Sequence, residues 1–198
     1  MTWVKVCGLT SREDVAAAIL AGADAVGFVT IPSSPRFIAP EQAAILGEGA
    51  RCHTVLLTLD LGPEEALALL RSTGLSGIQP YGDQAVATAV AAKAAGYLAL
   101  LPQRAGSEVV LNPDAGIPLL DTPSGAALGG TGRTFDWSLV APIRERFILA
   151  GGLGPHNVAR AVSEVRPWGV DASSALERTP GQKDHGMVAD FITKAKDT

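Results

Sequence analysis

The sequence predicts an α/β fold, a closed (β/α)8 barrel formed by one domain over residues 1–198. Short apolar runs alternate with longer amphipathic segments along the chain, and eight such runs occur without a domain linker. Each run is continuously apolar rather than alternating, as strands of a parallel sheet buried on both faces should be. With 47% hydrophobic and 18% charged residues, 198 residues supply ample material for one core.

The elements follow in order. Val4–Cys7 is the first strand, and a helix follows from Ser11 to Leu20, with Ser11 as N-cap and Asp14 at N3 in a variant capping box. Ala25–Val29 is the second strand, and Pro40–Leu46 is a helix with proline in its first turn. Thr54–Leu59 pairs with a helix at Pro63–Arg71, and Ser76–Gln79 with a helix at Asp83–Ala95. After the strand Tyr97–Leu101, the stretch Pro102–Pro113 is too short and polar for a full helix, so the fifth crossover is reduced. Pro118–Asp121, Arg146–Ala150 and Trp168–Ala172 complete the strands, followed by helices at Asp136–Ile143, Pro155–Glu164 and His185–Lys196. This is the TIM-barrel pattern near its minimum length.

Composition narrows the function. A net charge of −4 provides no basic field for nucleic acid or an anionic membrane, so an anionic ligand must be held by local donors. The apolar run beginning at Trp3 leaves no room for a signal peptide, and no stretch approaches membrane-spanning length. Cys7 and Cys52 form neither a disulfide nor a metal-ligand spacing pattern, and the expected setting is the reducing cytoplasm.

Barrels of this class carry their chemistry at the C-terminal ends of the strands. Cys7 closes strand one. A small buried hydrophobe is the commoner fate of a cysteine, but at the barrel mouth a thiol can lose its proton beside positive charge. Cys52 precedes its strand, at the opposite rim. Asp121 closes strand six, where it either caps a loop or, partly enclosed, donates a proton near neutrality. The segment beyond it, Gly129-Gly130-Thr131-Gly132, is expected to move over a ligand. A phosphate cradle is read at the ends of strands seven and eight, from Gly151 and Gly152 together with Ser173 and Ser174, which open a short helix. Arg36, fixed by Pro35, is either a solvated surface arginine or a two-point grip for a carboxylate. Strand periodicity puts Lys5 on the same face as Cys7, inside the barrel, where it needs a partner; Asp171 is the candidate.

In this order and spacing, the motifs resemble the phosphoribosylanthranilate isomerase family of tryptophan biosynthesis. They are Val4-Lys5-Val6-Cys7-Gly8-Leu9-Thr10, Gly22-Ala23-Asp24 with Gly27-Phe28, Ser34-Pro35-Arg36, Leu120-Asp121-Thr122, Gly129-Gly130-Thr131-Gly132 with Phe135-Asp136-Trp137, Leu149-Ala150-Gly151-Gly152-Leu153 and Gly169-Val170-Asp171-Ala172-Ser173-Ser174. The resemblance implies an Amadori rearrangement of N-(5-phosphoribosyl)anthranilate, with Cys7 as general base at the sugar C2 and Asp121 as general acid at the ring oxygen. It further implies that Arg36 holds the anthranilate carboxylate, that the cradle binds the phosphate, and that no metal or cofactor takes part. The expected partner is a small phosphosugar, and the protein a monomer or homodimer. Three segments depart from the family pattern: Gln79-Pro80-Tyr81-Gly82 stands for Gln-Leu-His-Gly, Leu57-Thr58-Leu59-Asp60 for a Phe-Val-Asn ending, and Ser173-Ser174-Ala175-Leu176-Glu177 for Ser-Ser-Gly-Val-Glu. The first two bear on the pocket wall near strands three and four. The rival readings are the histidine-pathway aminoaldose isomerase type and a phosphosugar-binding barrel without turnover.

Overall fold

A computed structural model of the chain describes residues 1–104, 111–121 and 136–198. Eight parallel strands close into a barrel in sequence order, β1 (Trp3–Cys7), β2 (Ala25–Val29), β3 (His53–Leu59), β4 (Gly77–Tyr81), β5 (Leu98–Arg104), β6 (Ile117–Asp121), β7 (Ile148–Leu149) and β8 (Gly169–Ala172). The ring is completed by β1 and β8 in register, Lys5 opposite Asp171. The helices around it are α1 (Arg12–Leu20), α2 (Pro40–Gly47), α3 (Pro63–Thr73), α4 (Ala85–Ala94), α5 (Val158–Val165) and α6 (His185–Lys196). Beyond β8 lies a small antiparallel hairpin, β9 (Glu177–Thr179) and β10 (Gln182–Lys183).

Local signals account for most boundaries. Ser11 caps α1 by accepting from the Asp14 N–H, and Asp184 caps α6 by accepting from the Met187 N–H. Proline opens α2 and α3, where its missing N–H costs nothing. Gly74 ends α3 in the left-handed region, its N–H returning to the Leu70 carbonyl.

Hydrophobic burial forms two layers. Between sheet and helices lie residues such as Phe28, Leu56, Leu70, Ile78 and Phe191. Inside the barrel a second cluster stacks Ala25, Val55, Leu100, Leu119 and Ile148 beneath Cys7, Val29 and Leu57. Trp3 and Trp168 stack with centroids 5.0 Å apart, and the Arg146 guanidinium lies 3.5 Å over the Trp168 ring.

Several expectations need correction. The Asp14 carboxylate does not return to the Ser11 N–H; it accepts from the Lys183 N–H at 3.2 Å and pairs with His185 Nε2 at 2.8 Å. The expected helix Asp136–Ile143 is a single 3-10 turn, Trp137–Leu139, because Pro142 supplies no N–H for a continuing helix. Strand β7 contracts to two residues and α5 begins at Val158, after the capping position Asn157. Of the reduced fifth crossover, residues 111–116 contain no helix, and Lys93 Nζ anchors them by donating to the carbonyls of Pro113 and Asp114. Residues 129–132 lie outside the described residues.

Candidate active site

At the C-terminal mouth of the barrel is a cavity of about 360 Å³, a size suited to a small ligand. Cys7, Arg36 and Asp121 line it, as do Gly151 and Gly152 from the loop after β7 and Ser173 and Ser174 from the segment after β8. The site residues expected from sequence that fall among the described residues therefore converge on one concavity.

Cys7 is the top of the inner cluster and a wall of the cavity at once. Burial pushes its thiol above the ordinary value; the Lys5 ammonium draws it back, Asp171 adds to the rise and Lys183 opposes it. Gly27 makes room for this group: a side-chain carbon there would lie 2.9 Å from the Cys7 sulfur and 3.2 Å from Lys5 Cε. Lys5 Nζ donates to Asp171 Oδ1 at 3.0 Å, as its strand position predicts. Burial disfavours the Lys5 ammonium, but the Asp171 carboxylate prevails and raises its pKa. Cys52 is set apart from this chemistry, its thiol pushed up to about 11 by burial.

The two loops in which the cradle is expected are in close contact. Gly151 and Gly152 both have positive φ, 86° and 63°. Asn157 pins this loop, its Oδ1 accepting from the Gly154 N–H at 2.9 Å and its Nδ2 donating to the Gly152 carbonyl at 3.0 Å. A side-chain carbon on Gly154 would lie 3.0 Å from the Ala175 methyl, so glycine allows the two halves to meet. The short helix expected here is a 3-10 helix, Ser174–Leu176, with Ser173 immediately before it.

Arg36 reaches the cavity but is already engaged. Its Nε and Nη2 donate to the two Glu177 oxygens at 2.8 and 2.7 Å, a two-point pair. Lys183 Nζ donates to Glu177 at 2.7 Å and to the Ser173 carbonyl at 3.1 Å. Sequence reasoning assigned no role to Glu177 or Lys183. Pro180-Gly181 between two short polar strands is the turn signal that marks their hairpin.

Two further residues of the cavity wall come from β4, where the sequence departs from the family pattern. Gln79 Nε2 donates to the Tyr81 hydroxyl oxygen at 2.7 Å, while the buried Gln79 Oε1 has no partner among the described residues. Burial and the nearby Cys7, Asp121 and Asp171 hold the Tyr81 phenol well above its ordinary pKa, so it stays protonated.

Among the described residues no helix is long and apolar enough to cross a membrane, and no group of three or more His, Cys, Asp or Glu residues could hold a metal ion.

The profile of a family described as N-(5'phosphoribosyl)anthranilate (PRA) isomerase matches residues 4–194. An N-(5'-phosphoribosyl)anthranilate isomerase from Pelobacter propionicus is 40% identical, the match covering 100% of this chain and 97% of the relative. The crystal structure of the phosphoribosyl anthranilate isomerase from Thermotoga maritima superposes with a TM-score of 0.84 at 34% identity, covering both chains fully. A crystal structure of such an isomerase in complex with reduced 1-(o-carboxyphenylamino)-1-deoxyribulose 5-phosphate gives a TM-score of 0.81 at 33% identity, again over all of both chains.

Proposed function

Because the chain belongs to the N-(5'-phosphoribosyl)anthranilate isomerase family, we propose that its cavity isomerises N-(5'-phosphoribosyl)anthranilate to 1-(o-carboxyphenylamino)-1-deoxyribulose 5-phosphate in tryptophan biosynthesis. The observation that carries this reading is the convergence of a thiol, a carboxyl, a guanidinium and a two-loop cradle on one concavity.

The chemistry requires only proton transfers. Asp121 gives a proton to the furanose ring oxygen, the C1–O bond breaks, and the anilino nitrogen becomes a protonated imine. Its positive charge acidifies the C2–H, and Cys7 as thiolate takes that proton to leave an enol. The enol collapses to the C2 ketone as C1 gains a proton, so substrate and product are isomers. Burial favours the thiol form of Cys7 before the ligand binds, and the charge that develops on the ligand favours the thiolate as it is needed. Phosphate on the Gly151, Gly152, Ser173 and Ser174 cradle orients the sugar from a distance. Arg36 receives the anthranilate carboxylate, and Gln79 Oε1, which has no partner among the described residues, is an acceptor for a sugar hydroxyl. The proposal includes a cytoplasmic location, a monomeric or homodimeric state and a single catalytic domain over residues 1–198.

The test is turnover of the anthranilate substrate, followed by loss of its fluorescence, beside the histidine-pathway aminoaldose. Only the former should react. Cys7→Ala and Asp121→Asn should each lower kcat by about 10²-fold or more with the fold retained. A near-normal rate in either variant removes the role assigned to that residue.

A further inference from the structure

Arg36, on the cavity wall, belongs to a charge cluster whose other members, Glu177 and Lys183, lie outside the cavity lining. Glu177 accepts from Arg36 at two points and from Lys183 at a third, and exposure of the three side chains is 4% for Glu177, 12% for Arg36 and 0% for Lys183. An isolated Arg36–Glu177 pair would be neutral and would offer little to an incoming anion. Lys183 changes the balance, because two cations against one carboxylate leave the cluster with a net positive charge. Two of the five guanidinium N–H donors point at Glu177, and among the described residues the other three have no partner. The plane of the fork is thus held from behind while its remaining edge is left for a ligand. Gly8 serves the same end, since a side-chain carbon there would lie 2.5 Å from Arg36 Cδ.

We propose that Glu177 is the positioning residue of the Arg36 clamp and Lys183 its charge balance, which makes the β9–β10 hairpin the element that selects a substrate bearing a carboxylate on its aromatic ring. This rests on the reading of Arg36 as the carboxylate clamp. Glu177 cannot contact the carboxylate favourably itself; it acts through the orientation of the arginine. Lys183 also donates to the Ser173 carbonyl, so one buried ammonium ties the clamp to the cradle.

The experiment compares kcat and KM for the anthranilate substrate and for its aniline counterpart, which lacks the ring carboxylate, in wild type, Arg36→Ala, Glu177→Gln and Lys183→Met. Wild type should prefer the anthranilate compound, and Arg36→Ala should abolish most of that preference. Glu177→Gln should raise KM for the anthranilate compound about tenfold, with kcat little changed and a smaller effect on the aniline compound; Lys183→Met should raise that KM similarly and, because Lys183 also favours the Cys7 thiolate, lower kcat alike for both compounds. Glu177→Asp keeps the charge and shortens the reach, so it should move KM in the same direction and separates geometry from charge. In the double variant Arg36→Ala/Glu177→Gln the second change should add no further loss of preference. An unchanged preference in Arg36→Ala overturns the clamp itself. A preference lost in Arg36→Ala but intact in the Glu177 and Lys183 variants overturns the positioning role alone. An equal fall in kcat for both compounds in Glu177→Gln marks a merely structural role and also overturns it.

Discussion

Lys5 Nζ lies 3.0 Å from Asp171 Oδ1 inside the barrel, with the lysine wholly buried and the two residues opposite one another across the β1–β8 seam. A charge withdrawn from water is tolerated only when a counter-charge and hydrogen bonds replace the solvent. The pair therefore binds the first strand to the last at the point where the barrel closes, directly below the thiol.

Removing one partner strands the other. Lys5→Met should destabilise the fold by about 3–5 kcal/mol in urea unfolding, whereas Lys5→Met with Asp171→Leu should recover a large part of the loss. A single variant as stable as wild type would mean that the pair carries no such weight.

The pH dependence of kcat/KM reports the free enzyme and therefore the resting thiol. Burial sets Cys7 above the ordinary thiol value of 9.0, with Lys5 only partly opposing the shift. The basic form is scarce at neutrality and grows with alkalinity, so in Asp121→Asn, where the acid no longer titrates, the residual kcat/KM should climb roughly tenfold per pH unit from neutrality toward about pH 9. A plateau already reached at neutral pH would show that the thiol ionises far lower.

Gly8 has φ 75° immediately after Cys7, where an L side chain is strained, and the space a methyl would fill is taken by the Arg36 stem. Gly8→Ala should cost about 1–2 kcal/mol from the backbone alone and should raise KM by displacing Arg36. Calorimetry and steady-state kinetics check the two effects separately.

Glu177 offers a further test. Burial alone would raise its pKa, but hydrogen bonds from Arg36 and Lys183 outweigh this and hold it below its ordinary 4.5. Stabilisation from a depressed carboxyl is fully present above that value and disappears as pH falls through the folded-state pKa. The stability gap between wild type and Glu177→Gln should accordingly be widest above about pH 4.5 and narrow in stronger acid. A gap that does not change with pH would contradict the depressed pKa.

Most of the architecture was legible because both causes are local. Continuous apolar runs such as Val4–Cys7 and Ala25–Val29 mark strands covered on both faces, and caps such as Ser11 and the proline at the start of α3 mark helix starts. The sixth crossover was misread because the apolar spacing of Trp137, Val140 and Ile143 imitates a helix that Pro142 does not allow to extend. Strand ends brought Cys7, Asp121 and the loops after β7 and β8 to one cavity, since the barrel assigns a fixed direction to every strand. The partner of Arg36 was not legible: 141 positions separate it from Glu177, and no periodicity relates side chains that meet only through closure. Tyr81 stood out in sequence only as a departure, and its place against Gln79 on the cavity wall required coordinates.

Strand β7 contributes only Ile148 and Leu149, joined to each neighbour through two residue pairs. Asp121 ends the strand on one side of this narrow stave, while the cradle is assembled from β7 itself and from β8 beyond it. A ligand anchored by its phosphate and reaching the carboxyl spans the stave like a hoop. Occupancy and barrel integrity are then thermodynamically linked, and amide protons of β7 should exchange more slowly with ligand bound than without it.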